Sequence, residues 1–100
     1  MAVIVIQQVA ATEEQYRAVN DAMDTRGNPP AGLILHTGGP IDNGDLRVVD
    51  IWESAEAFQS FASECLGPTI VQIMGDDAPT PSVEIRELYD VINGAGGATH

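Results

Sequence analysis

The dipeptide Asn43-Gly44 is the feature that most limits what this chain can fold into. Asn-Gly between two apolar segments is the strongest short-range signal for a β-hairpin, because a type I′ turn requires positive φ at both central residues. The flanking segments, 32–37 and 45–52, contain β-branched residues that favour strands. The sequence therefore predicts a hairpin whose second strand ends at the only tryptophan, Trp52.

Local patterns indicate two further strands and a first helix. Segments 2–9 and 83–91 contain several β-branched residues, which predicts a strand near each end of the chain. Thr12 and Gln15 have the spacing of a capping box, in which each side chain bonds the other residue's backbone amide. The first helix is therefore predicted to cover 13–26, before a Gly-Asn-Pro-Pro segment.

A second helix is predicted to begin after Ser54, a good N-cap residue. Its apolar side chains recur at the spacing of one helix face, namely Phe58, Phe61, Ala62, Cys65 and Leu66. The dipeptide Gly67-Pro68 is expected to interrupt this helix, and a short helix is expected to restart at Pro68 because proline is tolerated in a first turn. The lone Cys65 is interpreted as a packing residue.

The predicted order β-α-β-β-α-β indicates an α+β, ferredoxin-like fold. Such a chain forms one four-stranded antiparallel sheet with both helices on one face. One hundred residues correspond to a single domain, which we place at 1–93, with 94–100 as a flexible tail.

The other face of the predicted sheet has no helix to cover it. The strands nevertheless carry apolar residues at both odd and even positions, so this face is apolar as well. A monomer rarely exposes so large an apolar surface. We therefore expect a homodimer in which two sheets pack face to face.

The charge of the chain excludes several kinds of partner. Fifteen acidic residues face four arginines and no lysine, for a net charge of −11. Nucleic-acid binding needs a basic footprint, and an anionic membrane surface would repel this chain. No apolar segment approaches the length of a membrane span, and one cysteine cannot form an intrachain disulfide. We expect a cytoplasmic protein without a metal site.

The element order and the segment DIWESAEAFQSF resemble the dimeric α/β-barrel superfamily, especially its antibiotic-biosynthesis-monooxygenase-like group and small actinobacterial members of it. The motif residues are Trp52, Glu53, Ser54, Ala57 and Phe58. The resemblance covers nearly the whole chain as topology and about twelve residues as motif. The resemblance implies a protein that binds or converts a small molecule, since the superfamily includes cofactor-free oxygenases of polyketide precursors, haem-degrading oxygenases and cyclases.

The haem-degrading branch is the poorer match. That branch uses an asparagine on the first strand and a histidine near the second helix. This chain has Gln7 and Gln8 on the first strand and no histidine in 61–74. The comparison argues against haem, and no cofactor is expected. Of that branch's residues, only Trp52 carries over, as an aromatic wall of the pocket.

His36 and Asp50 are the candidate catalytic residues. An imidazole titrates near neutral pH, and a carboxylate could hold its tautomer. A two-residue turn would place Asp50 opposite Thr37, so that His36 faces the other side of the sheet. A bulge at Gly38-Gly39 would shift the pairing by one and bring His36 opposite Asp50. We favour the bulge.

Two hypotheses for function remain open. In the first, a cofactor-free monooxygenase, cyclase or isomerase uses His36 and Asp50 on a hydrophobic aromatic or polyketide-like substrate. Four aromatic residues would line its pocket: Tyr16, Trp52, Phe58 and Phe61. In the second, the protein is a non-catalytic small-molecule-binding or accessory dimer, and these aromatic residues are ordinary core. His36 would then be a structural or interface histidine, and Asp50 would bond a loop amide.

Overall fold

The computed structural model describes residues 1–94 and contains four strands and three helices. They are β1 (Val3–Val9), α1 (Glu13–Met23), β2 (Leu33–Pro40), β3 (Leu46–Trp52), α2 (Ala55–Phe61), α3 (Gly67–Met74) and β4 (Ser82–Glu87), with a π-helical turn (Ala62–Leu66) joining α2 to α3. The sheet order is β2-β3-β1-β4, and every neighbouring pair is antiparallel. This confirms the predicted α+β, ferredoxin-like architecture.

The first helix begins as predicted and ends three residues early. Gln15 N donates to Thr12 Oγ1 at 3.1 Å, and Thr12 N donates to Gln15 Oε1 at 2.9 Å, so the capping box is formed. The helix ends at Met23 because Asp24 adopts the left-handed conformation, with φ of 52°. The predicted end at residue 26 was wrong for that reason.

The predicted break in the helix at Gly67-Pro68 is wrong, whereas the predicted helix start at Pro68 agrees with the start of α3 to within one residue. Helical backbone continues from Ala55 to Met74, because the π-helical turn absorbs an extra residue. Within that turn Gly67 N donates to Ala62 O, five residues back. Pro68 then stands in the first turn of α3, where its missing N–H costs little.

The predicted hairpin is present, but its loop has three residues rather than two. Ile41 N donates to Asp45 O at 2.9 Å, and Gly44 N donates to Ile41 O at 2.8 Å. Gly44 has φ of +88°, whereas Asn43 is not among the described residues with positive φ. This is the pattern of a turn followed by a left-handed residue rather than a type I′ turn.

The three-residue loop sets the strand pairing by itself. His36 lies opposite Asp50, and Gly38 and Gly39 lie opposite Val48 and Arg47 without a shift. The register shift in β2 occurs between Leu33 and Leu35 instead. The predicted bulge at the glycine pair was therefore wrong, although the pairing it was invoked to explain is observed.

The two outer strands also differ in length from the prediction. β2 continues to Pro40, because the register set by the loop pairs Pro40 with Leu46. β4 ends at Glu87 rather than at residue 91, because it pairs only with β1, and that ladder runs out at the start of the chain. Residues 95–100, most of the predicted tail, lie outside the described residues.

The core lies between the helices and one face of the sheet. Val3, Val5, Trp52 and Phe58 are buried there and touch one another. On β1 the buried residues alternate with half-buried ones, as expected for a strand with two different faces. Within residues 1–94, no helix is both long and apolar enough to cross a membrane.

The opposite sheet face carries a second set of apolar side chains. Strand alternation and register place five of them together, namely Ile4, Ile6, Leu35, Val49 and Ile51. We call this set the outer face. Of these five side chains, Leu35 is the most exposed, with 39% of its surface accessible.

Candidate functional site

His36 and Asp50 meet on the helix-covered face of the hairpin. They lie opposite each other on β2 and β3, and His36 Nδ1 lies 2.7 Å from Asp50 Oδ1. Asp50 is only 5% exposed, whereas the His36 side chain keeps 30% of its surface accessible. The carboxylate is thus a buried group that fixes the orientation of a partly accessible imidazole.

Tyr16 extends this pair from α1. Its hydroxyl lies 2.6 Å from His36 Nε2, and the planes of the two rings are nearly parallel, at 12°, with centroids 5.9 Å apart. Gly38 makes this approach possible, because a Cβ at that position would lie 2.6 Å from both Cζ and Oη of Tyr16. The neighbouring Gly39 has open space instead. One glycine of the pair is therefore required by the position of the tyrosine ring.

Trp52 completes the arrangement, which we call the hydrogen-bond chain (Tyr16, His36, Asp50 and Trp52). Trp52 Nε1 donates to Asp50 Oδ2 at 3.2 Å. Donor capacity fixes the other directions, since an indole N–H only donates and a carboxylate only accepts. A neutral His36 then donates from Nδ1 to Asp50 and accepts at Nε2 from the hydroxyl of Tyr16.

The phenol of Tyr16 is held in its protonated form. Burial raises its pKa above the ordinary value, and the negative charge of Asp50 acts in the same direction. The hydroxyl can therefore serve as a donor to His36 through the neutral pH range.

A cavity of about 100 Å³ lies against the hydrogen-bond chain, between the sheet and the helices. All four members of the chain line it, and so does Phe61. Most of the remaining wall is apolar, with side chains from every helical segment and from β1, β2 and β3, including Val19, Leu33, Val48, Leu66, Ile70 and Met74. Such a wall suits an apolar ligand that meets a few polar groups.

The cavity includes three of the four predicted pocket aromatics. Phe58 is the exception, because it is 4% exposed in the core, where its ring packs edge-on against Trp52 at 5.7 Å. Phe61 packs against the same indole at 5.3 Å and also reaches the cavity. The structure thus places Phe58 in the core, outside the lining of this cavity.

Two residues of the site were missed by the sequence analysis. Gly38 was considered only as a possible bulge, and its space-making role depends on a contact between α1 and β2. Gln7 lines the cavity and is 8% exposed. Its parity with Val3 and Val5 on β1 places it on the buried face, and this alternation could have identified it.

Comparisons with known proteins reveal similarity in structure alone. No protein-family model and no curated protein matches the chain. Rv0793 from Mycobacterium tuberculosis is 19% identical with a TM-score of 0.65, over 91% of this chain and 98% of that one. A SnoaB variant from Streptomyces nogalater, described as a cofactor-independent oxygenase, is 12% identical with a TM-score of 0.63, over 91% and 96%.

A third structure, from Deinococcus radiodurans, is provisionally assigned as an antibiotic biosynthesis monooxygenase. It is 14% identical with a TM-score of 0.63, over 93% of this chain and 97% of that one. The coverage is nearly complete in each comparison, while the identities are low. The chain therefore shares its fold with antibiotic-biosynthesis-monooxygenase-like structures.

Proposed function

We propose that this protein is a cofactor-independent enzyme that takes a proton from a hydrophobic small molecule of aromatic or polyketide-like character. The observation that carries the proposal is the hydrogen-bond chain, because its accepting end, His36 Nε2, lies with Tyr16 in the wall of an apolar cavity. The similarity in fold to a cofactor-independent oxygenase supports it.

The geometry supports a simple proton path. The substrate gives its acidic proton to Tyr16 Oη, while the proton of Tyr16 passes to His36 Nε2 over 2.6 Å. The imidazolium that results is stabilised by Asp50, which holds Nδ1 throughout. The substrate is left as an electron-rich anion in the cavity.

This anion can react in two ways, both compatible with the site. In oxygenation, dioxygen converts a CH₂ group of the substrate to a carbonyl. One oxygen atom stays on the carbon, and the other leaves as water with the two hydrogens. In cyclisation or isomerisation, the imidazolium returns the proton at a different atom. The reaction class is decided by the substrate, whereas the first deprotonation is common to both.

The test is turnover of a panel of enolisable phenols, followed by oxygen consumption and by product absorbance. We expect His36→Ala to abolish turnover while circular dichroism shows that the fold survives. Thr37→Ala is the matched control, because the next residue of β2 points away from the cavity and donates to Val49 O. Near-wild-type turnover in His36→Ala would contradict the assignment of His36 as the group that takes the proton.

A non-catalytic, small-molecule-binding or accessory role is the second candidate. One observation favours it, because Tyr16 already occupies His36 Nε2 and the imidazole is satisfied without a substrate. In that case the wild-type protein would bind members of the panel without converting them. Tyr16→Phe would then leave binding intact, whereas in the enzyme it breaks the proton path and slows turnover.

We propose in addition that two copies pack through the outer face. Alternation also places Arg47, Glu84 and Arg86 on this face, so that its rim offers both signs of charge to a second copy. A stable interface buries about 800 Å² per partner, and an apolar centre with a mixed rim is its usual composition. Sedimentation should show a dimer at micromolar concentration, and Val49→Arg should convert it to a monomer. A stable wild-type monomer would contradict the proposal.

A further inference from the structure

A polar group outside the hydrogen-bond chain faces the cavity from the central strand. Gln7 is 8% exposed, and within residues 1–94 its side-chain amide makes no hydrogen bond. No fully enclosed polar side-chain atom of the described residues lacks a partner, so the amide of Gln7 is reachable from the cavity. The Gln7 amide thus borders the cavity without a protein partner, and a cavity occupant with a hydrogen-bonding group would bond it.

Register places Gln7 at the far side of the cavity from His36. Gln7 lies opposite Val48, and Val48 lies opposite Gly38, two residues along β2 from His36. Strand spacing then puts the Cα atoms of Gln7 and His36 about 12 Å apart. Val48 and Asp50 lie between them on β3, and the Asp50 carboxylate is already bonded to His36 and Trp52, so the free surface there is the apolar side chain of Val48. An occupant would meet one polar group at each end and apolar surface along its length.

The volume limits the size of that occupant. The cavity holds about 100 Å³. An apolar cavity of about 150 Å³ accommodates benzene. This cavity is smaller, so it takes at most one ring and excludes fused polycyclic molecules.

We infer that the ligand is a single-ring molecule with a hydroxyl group directed to Tyr16 and His36 and a carbonyl group directed to Gln7. Gln7 is then a specificity-determining residue that donates its amide N–H to the carbonyl. This inference rests on the proposed function for the reaction at the hydroxyl end, whereas binding at the Gln7 end does not require turnover. It narrows the substrate class to monocyclic compounds.

The test is calorimetric titration with three probes: para-hydroxyacetophenone, para-ethylphenol, which lacks the carbonyl, and a hydroxyanthracene. We expect the wild-type protein to bind the hydroxyacetophenone about tenfold more tightly than the ethylphenol, and the hydroxyanthracene not at all. Gln7→Met should remove the preference, through a loss of about tenfold in affinity for the hydroxyacetophenone. Gln8→Met is the matched control, since Gln8 is exposed and points to the other sheet face.

Three outcomes would overturn the inference: equal binding of hydroxyacetophenone by the wild type and Gln7→Met, tighter binding of the hydroxyanthracene, or no binding of either single-ring probe. Should Gln7→Met fail to fold, Gln7→Asn keeps an amide but shortens its reach, and it should lose part of the preference. Failure of the proposed function is seen separately, as turnover that survives His36→Ala.

Discussion

Gly38→Ala, compared with Gly39→Ala, tests whether the site depends on the close approach of Tyr16 to β2. A Cβ at position 38 would lie 2.6 Å from Tyr16 Oη, whereas ordinary contacts begin at 3.4 Å, and a Cβ at position 39 meets nothing within 4 Å. Neither glycine has positive φ, so alanine fits the backbone at both positions. The two variants therefore differ mainly in the clash with the tyrosine ring.

The magnitude follows from the displacement. Tyr16 must withdraw by about 1 Å, which lengthens its 2.6 Å contact with His36 beyond hydrogen-bonding range. Loss of the bond costs about 0.5–1.5 kcal/mol. Overpacking costs about 1–3 kcal/mol more. The entropic gain of about 0.4–1 kcal/mol from replacing glycine is shared by both variants and cancels in their difference.

We expect Gly38→Ala to be about 2–3 kcal/mol less stable than Gly39→Ala. At about 4–8 °C per kcal/mol for a domain of this size, that is a difference in Tm of about 8–24 °C. Thermal unfolding followed by circular dichroism measures it. A second readout is the pKa of Tyr16, which should fall toward its ordinary value as the ring loses burial. Absorbance of tyrosinate, in a Tyr89→Phe background, reports it.

Equal Tm values for the two alanine variants, with the pKa of Tyr16 still raised in Gly38→Ala, would refute this reasoning. The ring would then accommodate a Cβ without leaving His36. The position of Tyr16 would in that case not depend on Gly38.

Two further predictions concern the hydrogen-bond chain. In Asp50→Asn the side-chain amide can donate to His36 Nδ1, which moves the imidazole proton to Nε2. We therefore expect ¹⁵N NMR to show a tautomer switch and turnover to fall. An unchanged tautomer would count against the hydrogen-bond directions assigned to His36. Because burial raises the pKa of Tyr16, the unfolded state loses its phenol proton first. Stability should therefore be complete below pH ~10 and decline as pH rises through the raised pKa of the folded state. Urea unfolding should show a smaller alkaline decline in Tyr16→Phe, and parallel pH profiles would contradict the linkage.

The hairpin illustrates how much of the site the sequence could predict. Asn43-Gly44 correctly indicated a turn, and alternation correctly gave β3 two different faces. The number of loop residues was not readable, since Gly44 can take positive φ in a two-residue or a three-residue loop. That single residue decides whether His36 or Thr37 lies opposite Asp50. Local propensity predicts the hairpin, while the register depends on loop hydrogen bonds that form only in the folded chain.

Contacts between distant elements were the less predictable part. The sequence analysis predicted Tyr16 as a pocket aromatic, but it gave no information about which strand its ring would meet. The contact with His36 joins residues twenty positions apart and depends on the crossing of α1 over β2. The continuous helix from Ala55 to Met74 was missed for a related reason. Gly67-Pro68 is a strong local stop signal, and the π-helical turn that accommodates it is a packing outcome.

The register of β3 determines which side chains lie on each of the two faces of the sheet. Asp50 and Trp52 point to the cavity, while Val49 and Ile51 point to the outer face. A slip of one residue would exchange the two sets, placing the carboxylate in the proposed dimer interface and an isoleucine beside His36. The buried carboxylate and the apolar outer face therefore both oppose the same slip. A dimer formed through the outer face would in turn favour the register that holds the hydrogen-bond chain together. It would do so although none of the four residues of the hydrogen-bond chain would touch the partner.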